Sequence, residues 1–80
     1  MVDDVPVRIL EVLKTSLDPK NPWYHVVVQI IYKGIKSRIY TLDVRNTKDL
    51  VKKLKVEITK IKMLEYVYGR DELKRIIGGG

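Results

Sequence analysis

The stretch WYHVVVQIIYKGIKSRIYTLDV, residues 23–44, decides the fold of this chain. Residues 23–32 are mostly β-branched or aromatic, which favours a strand. Residues 35–44 alternate between apolar and polar side chains, which favours a second strand. Between them, Lys33-Gly34 supplies a glycine that can take the positive φ of a tight turn. The sequence therefore predicts an antiparallel hairpin in which the numbers of paired residues sum to 67.

That register divides the hairpin into two faces. The predicted core face carries Tyr24, Val26, Val28, Ile30 and Tyr32 with Ile35, Ser37, Ile39, Thr41 and Asp43. The predicted outer face carries Trp23, His25, Val27, Gln29 and Ile31 with Lys36, Arg38, Tyr40, Leu42 and Val44. Because the outer face mixes aromatic rings, an amide and cations, which burial would leave unpaired, we expect it to be a functional surface.

Further elements flank the hairpin. Val5 to Leu13 alternates as a strand, with Pro6 near its start or at a sheet edge. Residues 15–22 hold two prolines and form a predicted loop. Asn46 to Asp49 has the composition of a helix start, and residues 49–55 are helical by propensity.

Residues 56–68 can be read in two ways. A continuous helix would align Leu50, Leu54, Ile58, Ile61 and Leu64 on one stripe. A break near Lys55 would make the segment a fourth strand, and seven of its thirteen residues are β-branched or aromatic. The second interpretation is narrowly preferred.

The chain is expected to end in a short helix over 73–77, with Asp71-Glu72 at its start, followed by a glycine tail. The predicted fold class is α+β: an antiparallel sheet of three or four strands, the hairpin 23–44 central, with one packed helix from about residue 47 and a short C-terminal helix. Residues 1–77 are expected to form a single small domain, and residues 78–80 a flexible glycine tail.

Composition limits the class of protein. With 45 % apolar residues and charges of both signs, the chain is expected to fold rather than remain disordered. Cysteine is absent, which excludes disulfides and thiolate metal sites. Neither a signal peptide nor a membrane span is visible, so we expect a soluble, cytoplasmic protein without a membrane partner. A composition rich in Lys and Ile and free of Cys is typical of thermophile proteins and suggests such a source.

Positive charge is concentrated in one part of the chain. Residues 32–62 hold ten of the sixteen basic residues and three acids, a net charge of +7, whereas the rest of the chain carries −1. Concentrated charge of this kind in a small domain is typical of proteins that bind a polyanion.

Catalytic chemistry is not indicated. His25 is the sole histidine, so no metal site or nucleophilic triad can be assembled around it. The terminal glycines lack the strand and the Lys-Ser/Thr of a phosphate loop. We expect a non-enzymatic protein without a cofactor or metal.

Two clusters are candidates for nucleic-acid binding. The first is the outer hairpin face, where aromatic rings could stack on bases while cations meet phosphates. The second is a run of cations at the start of the helix, with Lys48, Lys52 and Lys55 on one stripe. The alternative interpretations are that a neighbouring element or a dimer partner covers the outer face, and that the Lys stripe is only a solvated surface. The candidate residues are Trp23, His25, Gln29, Lys33, Lys36, Arg38, Tyr40, Arg45, Lys48, Lys52, Lys53 and Lys55.

In size, charge and layout the chain resembles the small basic ribosome-associated proteins of archaea. The similarity rests on strands such as Tyr24-His-Val-Val-Val and Lys36-Ser-Arg-Ile-Tyr40 and covers the whole length. It implies structured RNA as the partner and assigns no role to any residue. The motifs of the common RNA-recognition domains and zinc fingers are missing.

The sequence therefore predicts a non-enzymatic RNA-binding protein, associated with ribosomes. Two alternatives remain open. One is a small chromatin-type or transcription-type DNA binder, and the other is an interaction module that forms a homodimer through its outer hairpin face.

Overall fold

The structure, a computed structural model, describes residues 2–15 and 18–78. Three strands form one antiparallel sheet in the order β1-β2-β3: β1 is Val7–Lys14, β2 is Tyr24–Tyr32 and β3 is Ile35–Val44. Two helices follow, α1 over Thr47–Tyr68 and α2 over Arg70–Ile77. The predicted α+β class, the helix from 47 and the short C-terminal helix are confirmed.

The hairpin turn has the expected geometry. Lys33 and Gly34 both have positive φ, 49° and 82°, as a two-residue turn that matches the twist of its strands requires. Near the turn the paired numbers sum to 67, as in Ile31 with Lys36.

A β-bulge then shifts the register. Ile30 lies opposite both Ser37 and Arg38, and beyond it the paired numbers sum to 68. The amide of Ile30 donates to the hydroxyl oxygen of buried Ser37 at 2.9 Å, so a side chain replaces a ladder bond. The side-chain amide of Gln29 also donates, from Nε2, to the Ser37 carbonyl at 3.0 Å.

The predicted pairings of Arg38 with Gln29 and of Tyr40 with Val27 are therefore wrong. Ile39 lies opposite Gln29, and Tyr40 lies opposite Val28. Past the bulge every side chain of β3 changes face, as a slip of one residue demands. Tyr40, Leu42 and Val44 point to the helix side, whereas Ile39, Thr41 and Asp43 point to the outer side.

The fourth strand over 56–68 is also wrong, because α1 runs unbroken through that segment. Its buried residues Leu54, Ile58 and Ile61 form the apolar stripe that packs on the sheet. Burial of this stripe outweighs the β propensity of single residues, and no Gly or Pro interrupts the helix before Gly69.

β1 begins at Val7 instead of Val5. Val2 and Val5 form an isolated bridge around Asp3 and Asp4, both of which have positive φ. A second bulge makes Leu10 an extra residue between Ile9 and Glu11. The predicted loop is confirmed for Thr15 and residues 18–22, while Ser16 and Leu17 lie outside the described residues.

The core lies between the sheet and the two helices. Ile30, Tyr32, Ile35, Ile58, Ile61, Leu73 and Ile77 are buried together near the hairpin turn, and Val26, Val28, Val44 and Leu54 are buried toward the start of α1. Of the predicted tail, Gly79 and Gly80 lie outside the described residues.

Candidate nucleic-acid interface

The predicted outer hairpin face does not form a single binding surface. Tyr40 lies on the helix side and packs against both buried clusters, and burial raises the pKa of its phenol. A base cannot stack on Tyr40 from the outer side of the sheet.

Two more predicted binding residues make internal contacts. Gln29 donates its side-chain amide to the bulge at Ser37. Arg38 donates from Nη2 to the carbonyl of Ile76 at 3.1 Å and so ties β3 to the end of α2. Both side chains therefore donate hydrogen bonds to backbone carbonyls of the same chain.

The outer face of the sheet is not strongly basic. His25 pairs with the carboxylate of Asp43, which the register shift brings to this side. Glu11 lies opposite Val27 and adds a second acid, while Arg8 and Lys36 supply cations. Charges of both signs make this face a poor site for a polyanion.

Cations and one aromatic ring meet where β3 leads into α1. Trp23 precedes β2 and is 38 % exposed. The Arg45 guanidinium carbon lies 5.4 Å from the centre of the Trp23 rings, and the Lys53 ammonium lies 5.8 Å from it. At these distances the cations interact with the π faces.

The start of α1 holds this cluster in place. Asn46 caps the helix, with its side-chain oxygen accepting from the Asp49 amide at 2.8 Å, and Asp49 accepts in return from the Arg45 amide at 3.1 Å. Lys53 contacts the carbonyl of Asp43 and lies 3.8 Å from the Asp49 carboxylate. The cap sets the point at which Arg45 leaves the sheet and the helix begins.

Beside this cluster runs the predicted Lys stripe. Lys48, Lys52 and Lys55 are exposed and, with Thr47 and Val51, line a shallow groove of about 390 Å³. Within the described residues none of these three ammonium groups has an ion-pair partner, so their charge faces solvent. The first turns of α1 add positive potential from the helix dipole. We call Arg45, Lys48, Lys52, Lys53 and Lys55, together with Trp23, the basic pole.

A second basic cluster lies beyond the other end of α1. Lys36, Arg70 and Lys74 line a groove of about 600 Å³ between the hairpin turn and α2, together with Asp71. The sequence interpretation missed Arg70 and Lys74, although their four-residue spacing places both on one side of a helix. Because α1 is about 33 Å long, the basic pole and this groove are separate surfaces.

Lys33, a predicted binding residue, forms an ion pair within the fold. Its ammonium lies 3.0 Å from the carboxylate of Glu65, which also accepts from the Tyr32 hydroxyl at 2.9 Å. The hydrogen bonds from Lys33 and Tyr32 hold the pKa of Glu65 below its usual value, while burial and the same carboxylate raise the pKa of Tyr32. This contact anchors the hairpin turn to α1.

The second half of α1 exposes apolar and aromatic side chains that sequence interpretation also missed. Tyr66 is 92 % exposed and Met63 64 %. Lys60 and Lys62 flank them. The predicted strand over 56–68 would have placed these side chains differently, and they share an exposed surface because the segment is helical.

Among the residues that the structure describes, neither helix has the length and apolar character that a membrane span requires. In the same ranges, 2–15 and 18–78, His, Asp and Glu side chains form no group that could hold a metal ion. Comparison with protein-family models, curated proteins and solved structures finds no match to this chain.

Proposed function

We propose that this chain is a non-enzymatic RNA-binding protein, associated with ribosomes, and that it holds RNA at the basic pole. The observation that carries the proposal is the contact of Arg45 and Lys53 with the half-exposed Trp23, beside three lysines without ion-pair partners. The proposed interface thus moves from the outer hairpin face to the start of α1.

The chemistry of the basic pole suits phosphates. Lys48, Lys52 and Lys55 repel one another by a few tenths of a kcal/mol per pair unless an anion lies between them. Binding a phosphate backbone removes this repulsion and releases counterions. Lys acts as a point charge, so these contacts supply affinity without reading sequence.

Trp23 favours RNA with unpaired bases over a DNA duplex. A half-exposed ring can stack on a base that has left its helix, whereas the bases of an intact duplex present only their edges in the grooves. Structured RNA offers both unpaired loop bases and a dense backbone. Ribosomal RNA has this character, in keeping with the resemblance to small basic ribosome-associated proteins.

The test compares three ligands: a ribosomal RNA stem-loop, the same RNA closed into a full duplex, and duplex DNA. We expect the stem-loop to bind most tightly and to quench Trp23 fluorescence. For the wild type, log K should fall with log salt with a slope of about −3 to −4. Replacing Trp23 by Leu should cost about 1 to 3 kcal/mol with the stem-loop only.

A triple variant tests the lysines. Replacing Lys48, Lys52 and Lys55 by Gln should reduce the salt slope by about two units, since each phosphate contact with a single strand contributes about 0.7. The matched control replaces Lys20, Lys36 and Lys74 by Gln, which removes the same charge elsewhere and should change the slope much less.

Two results would contradict the proposal. Equal losses in the triple variant and its control would mean that net charge alone attracts RNA. Equal binding of duplex DNA without any dependence on Trp23 would favour the DNA-binding alternative. Co-sedimentation with ribosomes at low salt tests the association separately.

A further inference from the structure

β1 is an uncovered edge of the sheet. It pairs only with β2, so one side of its backbone has no strand partner among the described residues. Four of its eight residues are apolar and about half exposed: Ile9 54 %, Leu10 43 %, Val12 55 % and Leu13 48 %. An edge of this length and character is an open template for pairing with another strand.

The helix side of β1 is open as well. Ile9 lies opposite Val28 and Val12 opposite Val26, so both point toward the side of the sheet that holds the core. They line an open groove of about 430 Å³ between β1 and the first turn of α1, together with Tyr24 and Leu50. An additional strand beside β1 would extend the sheet and place its own apolar side chains next to Ile9 and Val12 at the rim of this groove.

Charge favours a second copy of this chain at β1 more than at the exposed apolar residues of α1. β1 itself carries Arg8, Glu11 and Lys14, a net charge of +1, and the acidic residues Asp3 and Asp4 precede it. The exposed apolar residues of α1, in contrast, lie among Lys60 and Lys62 and follow the Lys stripe. Two copies of a chain with net charge +6 therefore meet less repulsion at β1 than at the Lys-rich surface of α1.

The bulge at Leu10 gives β1 a self-complementary pattern. Arg8 lies opposite Gln29 and Glu11 opposite Val27, so both charges lie on the outer face although their numbers differ by three. Without the bulge, alternation would place them on opposite faces.

We propose that two copies of this chain pair β1 against β1 in antiparallel orientation, with paired numbers that sum to 19, to form a six-stranded sheet. In this register Arg8 faces the partner's Glu11 on the outer side, and the two-fold axis repeats the pair. Val7 faces the partner's Val12 on the helix side.

Registers displaced by three residues are disfavoured. One places Glu11 against the partner's Glu11, and the other places Arg8 against the partner's Arg8, and like charges directly opposite one another are destabilising. Displacement by two residues leaves both charges without a partner of opposite sign.

Sedimentation equilibrium of the full chain tests the proposal. We expect a dimer of twice 9.3 kDa at about 100 µM, a concentration well above the Kd of an interface of standard size. Neither Arg8→Glu nor Glu11→Arg should alter the monomer, because both positions are exposed. Each should weaken the dimer about 10- to 100-fold, since both symmetry-related pairs become repulsive.

The register is tested by exchange of charge. The double variant with Arg8→Glu and Glu11→Arg should dimerise like the wild type, and an equimolar mixture of the two single variants should form a heterodimer. A matched pair of reversals on β3 and α1, Lys36→Glu and Lys52→Glu, should leave the dimer intact.

Monomeric wild type at about 100 µM would overturn the proposal. So would a dimer whose Kd is insensitive to both single reversals, or a double variant that stays as weak as the singles. None of these measurements involves nucleic acid, so the result is independent of the proposed RNA binding.

Discussion

The two edge strands of the sheet, β1 and β3, have different surroundings. β1 and β3 both flank β2, and each carries apolar side chains interrupted by one bulge. Both helices pack against β3, whereas β1 packs chiefly against β2. Ile35 of β3 is consequently 7 % exposed and Ile9 of β1 is 54 % exposed, although both point to the helix side. An apolar pattern identifies the residues suited to burial, but the path of the helices decides which of them are covered.

Truncation of one isoleucine in each edge strand tests this difference and should give the largest effect. Ile35→Ala removes a buried side chain and should lower the free energy of unfolding by about 2 to 5 kcal/mol. Ile9→Ala removes a half-exposed one and should cost less than about 1 kcal/mol. Urea unfolding, followed by circular dichroism at a concentration where the chain is monomeric, measures both.

Equal losses at the two positions would contradict the comparison, because they would mean that β1 is covered within the monomer. A loss at Ile9 that appears only at high chain concentration has a different meaning. It would locate the contribution of Ile9 in an interface between copies.

Part of this architecture follows from the sequence alone. The turn at Lys33-Gly34 needs positive φ, and the helix start at Asn46 has capping chemistry, so local rules were sufficient there. Residues 56–68 are predicted as a strand but form a helix. The propensity of single residues favours the strand, whereas burial of the apolar stripe against the sheet favours the helix.

The candidate site was less predictable than the fold. Lys48, Lys52 and Lys55 needed only the helical period to be placed on one stripe. Tyr40 was misplaced because the bulge depends on a hydroxyl meeting a backbone amide across the hairpin, which no periodicity encodes. The bulge at Ser37 therefore places the Tyr40 ring on the helix side of the sheet.

Substitution of that serine should have the next largest effect. Ser37→Ala leaves the buried amide of Ile30 without its acceptor, which should cost about 1 to 3 kcal/mol of unfolding free energy. Thr41→Ala, on the exposed face of the same strand, is the matched control and should change stability by less than about 0.5 kcal/mol.

Hydrogen exchange sharpens the same test. In Ser37→Ala the amide of Ile30 should lose protection more than its neighbours in β2, because its partner is a side chain. Similar stabilities of Ser37→Ala and Thr41→Ala would mean that the bulge does not depend on the hydroxyl, and that β3 would keep its shifted register without it.

The smallest expected effect concerns the hydrogen bonds to Glu65, which tie the turn between β2 and β3 to α1. Glu65 accepts hydrogen bonds from Lys33 and Tyr32 at the turn that joins β2 to β3, and no equivalent anchor holds β1 within the described residues. The Lys33 ammonium, as the first cause, and then the Tyr32 hydroxyl hold the pKa of Glu65 below its usual value of 4.5. The unfolded chain therefore binds this proton more readily than the folded one.

This contribution to stability should be complete at neutral pH and should be lost as the pH falls below the usual pKa of Glu65 and through its lower value in the folded protein. We expect Glu65→Gln to show a smaller loss of stability than the wild type between about pH 7 and about pH 3, measured by urea unfolding at each pH. Lys33→Gln should reduce the same acid dependence, because it removes the first donor to the carboxylate. If both variants kept the full acid sensitivity of the wild type, the turn would not be anchored through Glu65. In that case β3 would be held in the fold more firmly than β1 through the burial of its apolar side chains alone.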